Sequence, residues 1–237
     1  TFAMPELASG LIYYVVFLFS TTLHEASHAW AALQGGDPTA YHGGQVTLDP
    51  IPHIRREPVG MVVLPLLGVI ASGWPIGFAS APFDPEWALR HPRRAALMAL
   101  AGPASNFLLV VLAGLFLHLG LAHGVFQAPE SVSFDHIVEA ADPDSMWRAG
   151  GFLLSVFFSL NLLLGLFNLL PFPPLDGAGV PPLFLHDAGA HKYQEFVLTH
   201  RGLGLIGIIV AWQLIDKLYH PVWLAAVNLI HLAVHYG

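Results

Sequence analysis

The feature that most constrains this chain is a succession of apolar runs, each near the ~20 residues a helix needs to cross a hydrocarbon layer about 30 Å thick. They extend from about Leu11 to Leu33, Val59 to Pro82, Ala95 to Leu121, Phe152 to Leu170, Leu203 to Leu218 and Val222 to Tyr236. Pro65, Gly73, Pro75 and Gly77 interrupt the second, and His220-Pro221 separates the last two, which are short. No sizeable soluble domain, internal repeat or low-complexity tract lies between them. Hydrophobic residues make up 55% of the 237 residues and charged residues only 11%, whereas a soluble domain carries about 25% charged residues. Lipid must therefore cover much of the outer surface. The expected fold is an all-α polytopic membrane protein with about five to six transmembrane helices.

The charges set the expected topology. Arg55 and Arg56 precede the second run, and Arg90, Arg93 and Arg94 follow it. The link from His123 to Gly151 instead carries Glu130, Asp135, Glu139, Asp142 and Asp144 against Arg148. Basic residues collect on the cytoplasmic side, so the second run should return to the side it entered from. It is expected to be a re-entrant helix that breaks at Gly73-Trp74-Pro75 and comes back extended. Lys192 and Arg201 then fall inside with the other basic residues, leaving Arg148 and Lys217 outside. Trp74, Trp87, Trp147, Trp212 and Trp223 lie near run ends and are expected at headgroup level.

Other signals mainly exclude. The chain has no cysteine, so it has neither a disulfide framework nor a thiolate metal site. Its formal charge of −7 offers no footprint for nucleic acid. The first run lacks a basic leader and is too long for a removable signal. A start at Thr1 rather than Met leaves room for residues upstream.

The chemistry concentrates in His24-Glu25-Ala26-Ser27-His28, an H-E-x-x-H pattern inside the first run. Residues i and i+4 share a helix face, so both histidines can turn toward one metal. Glu25 lies about 100° around from His24, placed to take a proton from a water there and pass it to a leaving amine. The alternative is two packed histidines and a paired glutamate, but ionisable groups inside a bilayer are costly and usually functional. Ser20, Thr21, Thr22 and Ser27 could line a wet path or bond their own helix. Zinc with two histidines needs at least one more ligand. Asp176 is the best candidate, just past a helix stopped by Pro171, Pro173 and Pro174. An ordinary solvated Asp-Gly turn is the competing reading. His231 with His235, and His186, Asp187 and His191, are weaker metal candidates because spacing alone is poor evidence.

Together these motifs resemble the site-2 protease family of intramembrane zinc metalloproteases. His24-Glu25-x-x-His28 matches the first motif, and Asn168-x-x-Pro171-x-Pro173-x-Leu175-Asp176-Gly177 the second. Ala101-Gly102-Pro103-Ala104-Ser105-Asn106 is similar to the family's A-G-P-x-x-N segment. Gly35-Gly36-Asp37-Pro38-Thr39-Ala40 and Thr47-Leu48-Asp49-Pro50 resemble the compact prokaryotic branch without a PDZ domain. The likeness covers most of residues 11–179. It implies that His24, His28 and Asp176 hold one zinc ion, with Glu25 as general base. It also makes Asn168 and Asn106 candidates to steady an oxyanion or the substrate backbone. For Asn106, a hydrogen bond tying helices together is the competing reading. The segment Trp74–Pro82 departs from the family's pattern and lacks its basic residue, so substrate preference does not carry over.

The chain is thus read as one integral-membrane metalloprotease domain over 1–237, with a core at 11–179 and a C-terminal helical hairpin at 203–236. The expected function is hydrolysis of peptide bonds in or near transmembrane segments. The partners are the lipid bilayer and a transmembrane protein or peptide substrate, in a prokaryotic cell membrane with the site nearer the cytoplasmic side. A divalent-metal transporter should distribute acids along several helices, whereas Glu25 is the only acid deep in an apolar run. The intact His24, Glu25, His28 and Asp176 argue against an inactive segment binder.

Overall fold

The computed structural model describes residues 4–200, 202 and 204–237. Arg201 and Leu203, used above in the charge map and in bounding a run, lie outside the described residues. The chain is mostly helical, and among the described residues the one sheet is the two-residue antiparallel pair Phe126–Gln127 with Glu139–Ala140. It divides into two compact units, residues 1–105 with 167–212 and residues 106–166 with 213–237.

The first unit opens with α1 (Met4–Gln34), which contains the whole first run. The links after it are fastened by aspartate side chains. Asp37, itself buried, accepts hydrogen bonds from the backbone and hydroxyl of Thr39 at the start of α2 (Thr39–His42) and from the Asp84 backbone. Asp49 caps α3 (Pro50–Arg56) by accepting from the Ile51 N–H, as expected of Asp at an N-cap. The two turn-like segments of the family resemblance therefore place α2 and α3.

The second run turns back on itself. A π-helical turn at Val59–Val63 continues into α4 (Leu64–Ser72), which stops at Gly73 in a left-handed conformation with φ 73°. Only glycine adopts that conformation without steric cost. Residues 75–84 are irregular and return beside the helix, where the Phe78 N–H donates to the Gly60 carbonyl at 3.1 Å. Ser80 is anchored too, its carbonyl accepting from buried Gln45 and its hydroxyl donating to Glu57. This is the expected break and extended return. The unit continues through α5 (Pro85–Arg90) and the start of α6 (Pro92–Ala122).

α6 and α7 (Trp147–Asn168) are each long and apolar enough to cross a bilayer. Leu108, Val111, Leu112, Leu115 and Phe116 of α6 remain exposed, a patch that suits lipid rather than water. α1 is continuous but carries histidines, a glutamate and hydroxyls within its apolar run, and Val59–Ser72 is a shorter apolar helix. The chain folds as an all-α polytopic membrane protein.

After α7 come short 3₁₀ turns, then α8 (Asp187–Thr199) and α9 (Gly204–Ile230). Here the structure corrects one expectation. The last two runs form a single helix through Pro221 rather than a hairpin, and residues 231–237 are not helical. A proline removes one helical donor, but Trp223, Val227 and Ile230 still continue a buried stripe into the second unit's core with Phe158 and Leu162. That packing outweighs the lost bond. Two of the tryptophans near run ends are buried in the protein: Trp223 donates to Ser159, and Trp87 to the Gly35 carbonyl.

Within the second unit, fully buried Asn106 donates through Nδ2 to Asn161 Oδ1 at 2.9 Å, and Asn161 Nδ2 donates to the Phe157 carbonyl. This joins α6 to α7. Asn106→Leu should lower thermal stability in detergent by about 1 kcal/mol and leave metal content unchanged. Lost catalysis at unchanged stability would instead point to a chemical role.

Candidate metal centre

One turn of α1 carries both histidines inward, each about 95% buried. Their Nε2 atoms lie 3.0 Å apart. The third member arrives from far along the chain. α7 ends at Asn168, the prolines deflect the backbone, and a 3₁₀ turn begins at Asp176. Asp176 Oδ2 lies 3.0 Å from His24 Nε2, and Oδ1 lies 3.3 Å from His28 Nε2. A Cβ on Gly177 would sit 2.2 Å from the Leu169 carbonyl oxygen. The glycine after Asp176 thus lets the turn pack against the end of α7, and the Asp-Gly pair is not a solvated surface turn.

The arrangement fits a metal ion. The Nδ1–H of His28 donates to the Met98 carbonyl on α6 at 2.7 Å, which leaves the Nε2 lone pair directed at the cluster. Zinc bonded at about 2.0–2.1 Å in tetrahedral geometry holds its ligand atoms about 3.3 Å apart, close to the separations here. Two imidazoles and a carboxylate form a donor set that zinc accepts, with a fourth position left for water or substrate. This is the one such group of three or more among the described residues.

Glu25 is not part of the three-residue group. It is 5% exposed, and its Oε2 is buried without a hydrogen-bond partner. Glu25, His28 and Asp176 line one cavity of about 340 Å³ with Ala79, Ser80 and Ala81 of the extended return. A buried, unpaired carboxylate oxygen is costly, and here it stands next to the metal ligands.

The sequence reading did not anticipate how α6 serves the site. A Cβ on Gly102 would lie 2.3 Å from His28 Nε2 and 2.5 Å from His24 Nε2. The second residue of the A-G-P-x-x-N segment thus faces the ligand atoms themselves. The same helix supplies the Met98 carbonyl. Asn168 ends α7 half-buried, while Asn106 is engaged with Asn161 in the second unit. Thr22 and Ser27 donate to the carbonyls of Leu18 and Leu23, so these hydroxyls bond their own helix backbone. The weaker metal candidates are not assembled: His231 Nε2 donates to the Ile137 carbonyl and His191 Nδ1 to that of Leu89.

Fold and site define a membrane protein that brings two histidines and an aspartate together as a group able to hold a metal ion. The sequence profile of peptidase family M50 matches residues 12–206, and the chain belongs to that family. YwhC of Bacillus subtilis, described as a candidate zinc metalloprotease, is 35% identical over 212 residues, 85% of this chain and 84% of its own length. The similarly described Rip2 proteins of Mycolicibacterium smegmatis and Mycobacterium tuberculosis are 31% and 32% identical, over 69% and 73% of this chain. The aligned regions span 53% and 58% of those relatives' lengths. No solved structure gives a significant match.

Gly102→Ala should abolish or strongly reduce zinc binding while helical content stays unchanged, because the methyl would occupy space at both ligand nitrogens. Metal analysis after equilibration with zinc, beside circular dichroism, checks this. Full occupancy would mean α6 can withdraw from the histidines.

Proposed function

We propose that this chain is an intramembrane zinc endopeptidase that hydrolyses peptide bonds in or near transmembrane segments, with Glu25 as general base. The observation that carries the reading is one cavity bordered by Glu25, the ligand residues His28 and Asp176, and the extended segment Ala79–Ala81. His24, His28 and Asp176 would hold the metal. Zinc, when bound, polarises a carbonyl and makes water a better nucleophile at neutral pH. Glu25 takes the proton from the attacking water and delivers it to the departing amine nitrogen. Asn168, at the end of the helix before Asp176, is the candidate for steadying the oxyanion. For Asn106, the Asn161 bond supports a structural role.

A transmembrane segment must unwind before its peptide bond can be reached. The extended return beside the cavity supports recognition by strand addition, in which main-chain hydrogen bonds replace those of the lost helix. The basic residues around the return support a site nearer the cytoplasmic face, in a prokaryotic cell membrane.

Glu25→Gln should hold about one zinc per chain yet cut none of a reconstituted panel of single-span substrates that the wild type cuts. Cleavage by the variant would remove Glu25 from the mechanism. Zinc without cleavage by either protein would turn attention to zinc flux in liposomes. The absence of native cysteines permits a second test. Cysteine at Phe78 should crosslink to a substrate cysteine at one register, and silence at every register would count against strand addition.

A further inference from the structure

The inner face of α8 holds a residue whose character the fold does not explain. Ala190 and Gln194 are its buried positions, and Val197 and Leu198 stand beside Gln194 along the cavity wall. Tyr193 donates to the Ala178 carbonyl at 3.0 Å and fastens α8 over the 3₁₀ turn that begins at Asp176. Burial raises the pKa of this phenol, which keeps it a donor. Leucine would serve packing well at 194, yet a glutamine is there. It is only 5% exposed, lines the cavity with Glu25 and Asp176, and has no hydrogen-bond partner among the described residues. Its amide atoms are not sealed away from the cavity, so a polar group that enters can pair with them. Ser80, the remaining polar residue of the wall, is committed to Glu57 and Arg56.

A primary amide offers two donors and a neutral acceptor, the complement of a peptide group. No lysine or arginine lines the cavity, so no fixed cation there selects an anionic group. Ala95, Ala99, Ala178 and Gly179 make a small-residue wall that leaves room for a bulky apolar side chain. We propose that Gln194 binds substrate main chain, its amide pairing with a peptide group of an unwound segment that also places a large apolar side chain against this wall. The proposal rests on the peptidase reading above and names the substrate class for the same cavity.

The test uses zinc-loaded full-length protein in detergent and two probes, a leucine-containing tripeptide hydroxamate and acetohydroxamate. Both chelate zinc, but only the first has a main chain. Gln194→Met keeps the side-chain length and removes the amide. It should weaken the tripeptide about tenfold, in line with the loss of buried hydrogen bonding, and leave acetohydroxamate unchanged. Unchanged tripeptide affinity, or equal loss of both probes, overturns the proposal. A second measurement separates the amide from a general loss of affinity in the variant: esters replace the tripeptide amides one at a time. One replacement should weaken binding to the wild type and have no further effect on Gln194→Met. The same penalty in both proteins at every position overturns the assignment. Failure of acetohydroxamate to bind the wild type would instead sink the metal-centre reading, and this proposal with it.

Discussion

Two imidazoles and a carboxylate, separated in sequence by as many as 152 positions, meet at one point in a chain made largely of apolar residues. Such groups are expensive to bury alone, and more so within a bilayer. Their convergence organises the first unit. Helical spacing sets the two histidines on one face of α1. The Met98 carbonyl fixes the tautomer of His28 and ties that helix to α6. The proline-broken end of α7 turns the chain back so that Asp176 can reach both rings. None of these elements supplies the centre alone.

The surroundings follow the same economy. Helices satisfy most of their own backbone, so they border the site mainly with side chains, the Met98 carbonyl also accepting from His28. Irregular backbone occurs where it borders a cavity, as expected for non-helical chain at membrane depth. The return from Pro75 to Asp84 and the turns around Asp176 are both of this kind. α8, held down by Tyr193, closes a further side of the cavity. The result is a cavity with mixed walls: apolar helix faces, one extended segment and a few polar groups directed inward.

Much of this could be read from the chain because the relevant signals are local and periodic. His24 and His28 stand out through i,i+4 spacing. The turned-back second run shows in the arginines at both ends and in Gly73. Asp176 was legible only as a candidate, since Asp-Gly also marks common surface turns. What depends on three-dimensional packing was hidden. Pro221 reads as a break, yet the buried stripe of Trp223, Val227 and Ile230 carries the helix past it. Trp87 and Trp223 look like interfacial anchors, but each has a buried hydrogen-bond acceptor. Asn106 fitted a catalytic or a helix-tying role, and the Asn161 bond became visible only in the fold. No local pattern distinguishes Gly102 or Gln194 as facing the site.

The closeness of Gly102 to the two ligand nitrogens bears on how activity can disappear in descendants of such a gene. A single methyl group added there would crowd both Nε2 atoms while leaving the histidines, glutamate and aspartate intact. A copy silenced this way would still display its complete signature and fold normally. Sorting working enzymes from retired ones therefore requires inspecting the helix opposite the motif as well as the motif itself.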